Sequence, residues 1–361
     1  MNPARLSLRR RLALEAAHKL EADLIREHPL RQLFWECTLR CNLHCQHCGS
    51  DCKVQALQPD MPKEDFLHVL DEVAEHTDPH KVFVIVTGGE PLMRADLEDC
   101  GRAIYDKGFP WGMVTNGLAL TPNRFQRLLR SGLHSATVSL DGFEDNHNWM
   151  RGNAHSFEHA VEAIRLMVAE MNFVFDVVTC VNKRNISRLA ELRDFLVDLG
   201  LKSWRLFTVF PAGRAAGNPE LQLCPEEFRT VMEFIRNTRK EGIIDVSYGC
   251  EGFLGNYEGD VRDHFFTCQA GVTVGSVLID GSISACASIR ADYHQGNIYK
   301  DNFMEVWEQR FAPYRDREWM RTGECSACRF FRYCRGGGMH LRDGDGKLML
   351  CHYNRFLREN K

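Results

Sequence analysis

Three cysteines stand close together near the start of the chain: Cys41, Cys45 and Cys48, in Cys-Asn-Leu-His-Cys-Gln-His-Cys. Three thiolates at this spacing can hold one iron–sulfur cube by three corners. Because such a cube usually has four protein thiolates, one iron would stay free to bind another molecule. A structural zinc site is the alternative. It needs four closed ligands, and the nearby Cys37 and Cys52 keep that alternative open.

A second group of six cysteines lies in the last part of the chain. They are Cys268, Cys286, Cys325, Cys328, Cys334 and Cys351. The first two flank a segment that predicts a β-hairpin turning at Asp280-Gly281, because Asp-Gly between apolar runs is a strong hairpin signal. The last four suit a zinc ribbon, since four cysteines of this type can bind Zn²⁺.

The composition is that of a globular metalloprotein. At 361 residues, with 44% hydrophobic and 26% charged residues, the chain can bury a large α/β core and a smaller second unit. A net charge of −4 provides no general attraction to nucleic acid or to anionic membranes. No apolar run approaches the ~20 residues that span a bilayer. Fifteen cysteines without an export signal indicate metal ligands in a reducing cytosol, so we expect a cytoplasmic protein.

Between about residues 31 and 215, short apolar runs alternate with amphipathic helical stretches. The predicted strands are Leu33–Cys37, Val82–Thr87, Gly112–Thr115, Ala136–Leu140, Phe173–Val181 and Trp204–Phe210. Helix signals lie between them, such as Thr121-Pro122, an N-cap followed by proline at the first helical position. This alternation predicts right-handed crossovers and a parallel sheet, either open or closed into part of a barrel.

The segments that carry chemistry follow these strands in order. Cys41, Cys45 and Cys48, with His47 between the last two, follow the first strand, and Gly88-Gly89-Glu90 follows the second. In spacing and order they resemble radical S-adenosylmethionine (SAM) enzymes. The resemblance implies an α/β fold with a partial (β/α)6, TIM-like barrel, and a 4Fe–4S cluster whose open iron binds SAM. It also implies reductive cleavage of SAM to a 5′-deoxyadenosyl radical that abstracts hydrogen from a substrate.

The same resemblance assigns side chains to SAM. The backbone of the Gly-Gly-Glu segment would hold the methionine amino group. A serine and an arginine would bind the carboxylate side, and a histidine would lie beside the adenine. An arginine fork matches a carboxylate. Each assignment has an ordinary alternative. The glycine segment could be only a turn and the serine only a local cap. The arginine could form a surface salt bridge, and the histidine could merely support its neighbours. The predicted SAM-binding residues are Gly88, Gly89, Glu90, Ser139, Arg151 and His47.

The C-terminal cysteines resemble the SPASM extension of radical SAM enzymes, which carries two auxiliary 4Fe–4S clusters. By this resemblance the distal auxiliary cluster has four ligands: Cys325, Cys328, Cys334 and Cys351. The pattern departs at Gly338, where the family has another cysteine, so the proximal auxiliary cluster is short of ligands. We expect it to be held with one open iron by Cys250, Cys268 and Cys286. The alternative is that these are buried thiols and that no proximal cluster forms.

The predicted domain organisation follows from the two resemblances. A helical extension over residues 1–30 precedes a radical SAM core over residues 31–215. A bridging helix over residues 216–245 then leads to a SPASM domain over residues 246–361.

SPASM-bearing enzymes mostly modify peptides or proteins. The resemblance therefore implies a peptide or protein substrate and an external one-electron donor of the flavodoxin or ferredoxin type. Ala287 stands where the sulfatase-maturing branch has an aspartate base, which argues against formylglycine formation. Two alternatives stay open. One is a radical SAM dehydrogenase or mutase acting on a small molecule, and the other is a non-catalytic metal-binding interaction protein with a degenerate barrel.

Overall fold

The computed structural model describes residues 6–249 and 251–357, so Cys250, a predicted cluster ligand, lies outside the described residues. The strands join in one sheet. They are β1 (Gln32–Thr38), β2 (Phe83–Gly88), β3 (Trp111–Thr115), β4 (Leu133–Ser139), β5 (Val174–Val181), β6 (Ser203–Thr208), β7 (Asp245–Tyr248), β8 (Val274–Val277), β9 (Ser282–Ser284) and β10 (Gly296–Asn297).

The α-helices lie mainly between these strands. They are α1 (Leu8–Glu27), α2 (Lys63–His76), α3 (Leu97–Asp106), α4 (Pro122–Arg130), α5 (Glu144–Arg151), α6 (Ser156–Ala169), α7 (Leu189–Asp198), α8 (Pro225–Glu241), α9 (Phe303–Gln309), α10 (Ala312–Arg315), α11 (Phe331–Cys334) and α12 (His352–Leu357). Thr121 caps α4 as predicted, since its hydroxyl accepts a hydrogen bond from the N–H of Arg124 at 3.3 Å. Among the described residues, no helix combines the length and apolar character needed to cross a membrane.

The sheet confirms the predicted parallel architecture. Strands β1 to β7 lie side by side in chain order and are all parallel. The first six, with the helices between them, form the expected partial (β/α)6 barrel. Strand β7 extends the sheet beyond the six predicted strands. It has only four residues, too few for its alternation to stand out in the sequence.

The two faces of the sheet differ in burial. Side chains that point to the helices are fully enclosed; Trp35 stacks on Phe66 of α2 with 4.6 Å between ring centroids. Side chains that point to the concave interior, such as Ile85, Val178 and Arg205, are only half-buried although they lie in the middle of strands. The concave face is therefore open and able to receive a ligand.

The predicted hairpin forms, with β8 and β9 antiparallel and the turn at Asp280-Gly281. Its place in the fold was not predicted. Strand β8 pairs in parallel with β1, so the hairpin continues the barrel sheet past its first strand. Glu36 on β1 reinforces this join, because its buried carboxylate accepts from the N–H of Ile279 at 3.2 Å and pairs with Arg290 at 2.9 Å. The boundary between the core and the C-terminal unit stays a prediction.

Helix α1 contacts the C-terminal unit through ion pairs. Glu21 pairs with Arg335 at 3.4 Å, and Glu15 contacts both Arg332 and Tyr333. Leu14 is the buried apolar residue of the helix. Residues Leu8–Glu27 thus form a helix whose acidic side chains Glu15 and Glu21 contact the cysteine-rich end of the chain.

Candidate active site

The loop that follows β1 carries Cys41, Cys45 and Cys48 at the carboxyl end of the barrel. Cys41 and Cys45 are buried and Cys48 is half-buried. Burial raises the pKa of Cys41 to about 12, whereas a hydrogen bond from the Cys52 thiol lowers the pKa of Cys48. Cys52, which the sequence leaves ambiguous, therefore supports the thiolate of Cys48. Metal binding at such a site displaces protons from the buried thiols.

The spacing of the sulfur atoms separates zinc from a larger cluster. In a tetrahedral zinc site with Zn–S bonds of about 2.3 Å, the sulfur atoms lie about 3.8 Å apart. Among the described residues, no three cysteine sulfur atoms lie within 4.8 Å of one another. This spacing is wider than a zinc site of three or four cysteines needs.

Arg214, after β6, holds the cysteine loop in place. Its Nε donates to the carbonyl oxygen of Cys45 at 2.7 Å, and its Nη1 pairs with Asp51 at 3.0 Å. Its backbone N–H donates to the carbonyl oxygen of Cys48 at 3.1 Å. The preceding Gly213 has φ of 55°, and a Cβ there would meet the same oxygen at 2.5 Å. The segment after β6 and the cysteine loop are thus fitted together through backbone contacts.

Replacing Arg214 with alanine is expected to make the cluster at this loop about tenfold more sensitive to air. A hydrogen bond from a charged group contributes about 1.5–3 kcal/mol. Its loss should therefore raise the fraction of molecules in which the cysteine loop has opened by at least about tenfold. The rate at which the iron absorbance bleaches in air provides the measurement. Arg188→Ala, which removes an exposed arginine that pairs with Glu191, is the matched control and should bleach like the parent. Equal rates for parent and Arg214→Ala would contradict the role.

The Gly88-Gly89-Glu90 segment packs directly against the entry to the cysteine loop. A Cβ on Gly88 would collide with the carbonyl oxygen of Thr38, and one on Gly89 with that of Arg40. The side chain of Glu90 is buried and turned inward. It accepts from the Thr115 hydroxyl and from the N–H of Asn116, both at 2.7 Å, and from the N–H of Leu92 at 3.1 Å. The glycines therefore permit close approach of protein backbone, and Glu90 joins the ends of β2 and β3.

Arg151 lies in a buried ion pair, which corrects the alternative of a surface salt bridge. Its Nε donates to Asp141 Oδ2 at 2.7 Å, and its Nη1 lies 3.8 Å from the sulfur of Cys45. Burial alone would raise the pKa of Asp141, but Arg151 and the nearby His47 and His147 hold it below its ordinary value. Arg151 thus places a positive charge beside a cysteine of the first set.

His47 points into the same corner. Burial lowers its pKa to about 4, and its Nδ1 is buried without a hydrogen-bond partner among the described residues. His47, Asp141 and Cys180 each place a ligand atom within 4.8 Å of the others. The charge of Arg151 on Asp141 opposes a cation there, so this corner fits a polar ligand better than a metal ion.

Two residues near the cluster loop were missed as site residues. Asp141 follows Ser139, the last residue of β4, in the Ser-Leu-Asp-Gly segment. Asn116 directly follows β3; its side chain donates to Asn42 Oδ1 at 2.8 Å and lies 4.0 Å from the sulfur of Cys41. The signal available was the position of both residues just past a strand end, where parallel strands deliver their side chains to one edge.

The four cysteines assigned to the distal cluster come together around one cavity. They are Cys325, Cys328, Cys334 and Cys351. Arg342 is buried beside them, with Nη2 3.5 Å from the sulfur of Cys325 and bonds to carbonyl oxygens of Met320 and Gly336. Among the described residues it has no carboxylate within 4 Å. A buried cation needs an anion, and a thiolate-bound cluster is one.

Cys268 has a similar environment. Buried Arg317 donates to the carbonyl oxygens of Cys268 and Ala270, and it pairs with no carboxylate in the described part of the chain. Burial opposes the Cys268 thiolate, but Arg317 and the N–H of Met339 bring the pKa of Cys268 below its ordinary value. Cys286 is close enough for the two thiols to interact electrostatically. The site therefore suits an anionic metal cluster.

Comparison with known proteins agrees with this geometry. Residues 35–196 match the sequence model of the radical SAM superfamily, and residues 268–329 match that of the SPASM iron–sulfur cluster-binding domain. The AdoMet-dependent heme synthase of Methanosarcina barkeri is 27% identical over 324 residues, covering 85% of this chain and 90% of the relative. The mycofactocin maturase MftC of Mycolicibacterium smegmatis is 27% identical over 320 residues, covering 85% and 77%.

The fold is also similar to that of a solved structure. The crystal structure of Streptococcus suis SuiB bound to S-adenosylmethionine superposes with a TM-score of 0.68 at 16% identity, over 92% of this chain and 79% of that one. The partial barrel, the cysteine loop and the C-terminal cysteine unit define an enzyme that uses an iron–sulfur cluster. The chain belongs to the radical SAM superfamily and carries a C-terminal SPASM domain. Its cofactors are a SAM-binding 4Fe–4S cluster, SAM and auxiliary iron–sulfur clusters.

Proposed function

We propose that this enzyme binds SAM beside Cys41, Cys45 and Cys48 and abstracts hydrogen from a substrate on the concave face of the barrel. The proposal is carried by one observation: the cysteine loop, the glycine pair and the Asp141–Arg151 pair meet at the carboxyl ends of β1, β2 and β4, above an open interior. When bound, the reduced cluster and SAM supply the radical that takes a hydrogen atom from the substrate.

The residues of the chain hold and orient these groups. The three thiolates would hold the cluster, and Arg214 fixes the loop that carries them. Arg151 provides positive charge beside Cys45, where the carboxylate of SAM would lie together with Ser139. His47 offers a neutral ring and a free nitrogen at the same place. Glu90 is occupied with backbone and side-chain donors, so we assign the methionine amino group to the backbone of Gly88 and Gly89 and give Glu90 a positioning role.

For the substrate we favour a tetrapyrrole with carboxylate side chains. The support is the similarity to the AdoMet-dependent heme synthase of Methanosarcina barkeri, whose sequence aligns with this chain over 90% of its length. The concave face also offers a suitable group. Arg205 is bonded to Asp176 through Nε and Nη2, its side chain is 41% exposed, and its remaining Nη1 faces no described partner. A guanidinium with a free edge suits a carboxylate.

A peptide or protein substrate, the expectation from the sequence, is the second candidate. It is supported by the similarity to MftC, a maturase, at the same 27% identity. In either case an external one-electron donor of the flavodoxin or ferredoxin type has to reduce the SAM cluster.

The experiment is anaerobic reconstitution followed by reaction with SAM and each substrate class in turn. We expect 5′-deoxyadenosine to form in step with a mass change of an iron porphyrin that carries carboxylates. A mass change only in a peptide would overturn the tetrapyrrole proposal in favour of the second candidate. A protein that binds iron and SAM but never forms 5′-deoxyadenosine would overturn the proposed function as a whole.

A further inference from the structure

Gly338 stands where the family has a cysteine, and the space beside it is filled by a histidine two residues later. A Cβ built on Gly338 would lie 2.7 Å from Cε1 and 2.9 Å from Nδ1 of His340. The imidazole of His340 therefore occupies the volume that a side chain at position 338 would take. The glycine and the histidine fit together, because a cysteine at 338 would require the ring to move.

The same turn contacts the proximal cysteines. The N–H of Met339 is a hydrogen-bond donor to the sulfur of Cys268. The carbonyl oxygen of Glu251, the residue that follows Cys250, lies 2.7 Å from the position of the added Cβ on Gly338. Residues 338–340 thus contact Cys268 and the backbone of Glu251.

The imidazole of His340 is not engaged elsewhere in the described part of the chain. It makes no hydrogen bond or ion pair there, and its ring contact is an edge-on one with Phe210 at 5.1 Å between centroids. A half-buried imidazole with both nitrogens unused is suited to metal coordination. By contrast, the neighbouring His352 is bonded to Glu251 at 3.1 Å.

We propose that a ring nitrogen of His340 is a ligand of the proximal auxiliary cluster that Cys268 and Cys286 hold, in place of the cysteine absent at Gly338. The inference rests on the proposed function only in assuming that the SPASM unit holds its clusters. A neutral imidazole adds less negative charge than a thiolate, and histidine ligation raises the potential of iron–sulfur clusters. The proximal cluster should therefore be easier to reduce than one with four thiolates.

The test uses the full chain labelled with ¹⁵N-histidine, with Cys41, Cys45 and Cys48 replaced by alanine so that only the auxiliary clusters contribute. After anaerobic reconstitution and reduction, pulsed EPR should detect a histidine nitrogen bound to iron. His340→Ala should lose this coupling. His340→Cys should lose it too, keep the full iron content and show a more negative reduction potential. His294→Ala, which removes a histidine that pairs with Asp292, is the matched control and should resemble the starting protein.

Three results would overturn the proposal. They are the absence of any histidine coupling, a coupling that survives His340→Ala, and an iron content of only about four atoms per chain in the triple-alanine protein, which means a single auxiliary cluster. The same spectra from protein with an intact first cysteine set provide a second measurement if the alanine background folds poorly. SAM cleavage by that intact protein tests the proposed function separately, so the two failures can be told apart.

Discussion

Replacing Cys45 with alanine is expected to reduce 5′-deoxyadenosine formation to background, a loss of at least about a thousandfold. Two thiolates do not hold a cube that has to keep one iron open for SAM. Cys45 is also the cysteine whose sulfur faces Arg151, and its carbonyl oxygen is the anchor for Arg214. The measurements are product formation under reducing conditions and iron content, which should fall by about four atoms per chain while the auxiliary iron stays.

Cys100→Ala is the matched control for this experiment. Cys100 is buried in α3 beside Arg94 and Asp96, on the helical side of the sheet and away from the cysteine loop. The Cys100→Ala variant should keep both its iron and its activity, and the small cavity should lower the free energy of unfolding by about 1 kcal/mol. Undiminished product formation by Cys45→Ala, or its loss in Cys100→Ala, would contradict the assignment of the SAM cluster.

The barrel was readable from the sequence because its signals are local. Strands such as Val82–Thr87 are apolar runs of β-branched residues, and Thr121-Pro122 marks a helix start by capping chemistry alone. The position of the C-terminal hairpin was not readable. Nothing in Val274–Val277 states that its partner is β1, about 240 residues earlier, because pairing between distant strands is settled by tertiary packing.

The residues of the site likewise fall into those that local sequence signals indicate and those that they do not. Cys41, Cys45 and Cys48 could be singled out because they are close in sequence, and the Gly88-Gly89 pair because its motif is short. Arg214, Arg317 and Arg342 were not, because each acts on a cysteine loop through contacts between segments. The sequence indicated Arg151 only through resemblance, and it gave no sign of Asp141 as its buried partner.

A common feature unites these arginines. One buried guanidinium lies beside each cysteine set: Arg151 near Cys45, Arg317 near Cys268 and Arg342 near Cys325. Only Arg151 has a carboxylate partner in the described part of the chain. Because an unpaired buried charge is costly, the other two favour the anionic, cluster-loaded state over the empty one. Their positions link cluster loading to the stability of the C-terminal unit.

Replacing Arg151 with methionine is expected to lower the free energy of unfolding by about 3–5 kcal/mol, because Asp141 is then buried without its cation. The double variant Asp141→Asn/Arg151→Met should lose much less, since it leaves no buried charge. Denaturant unfolding at neutral pH provides the measurement. Arg165→Met, which removes an exposed pair with Glu162, is the control and should change the free energy by less than about 1 kcal/mol.

The pH dependence of this pair has a definite sign. Arg151 and the two nearby histidines hold the pKa of Asp141 below its ordinary value of 3.8, despite burial, so the unfolded chain binds the proton more readily than the folded one. The stabilisation is therefore fully present above about pH 4 and is lost as the pH falls through the folded pKa. The difference between parent and Arg151→Met should accordingly shrink in acid. Equal destabilisation of the single and double variants at neutral pH would show that the loss comes from packing and not from the unpaired carboxylate.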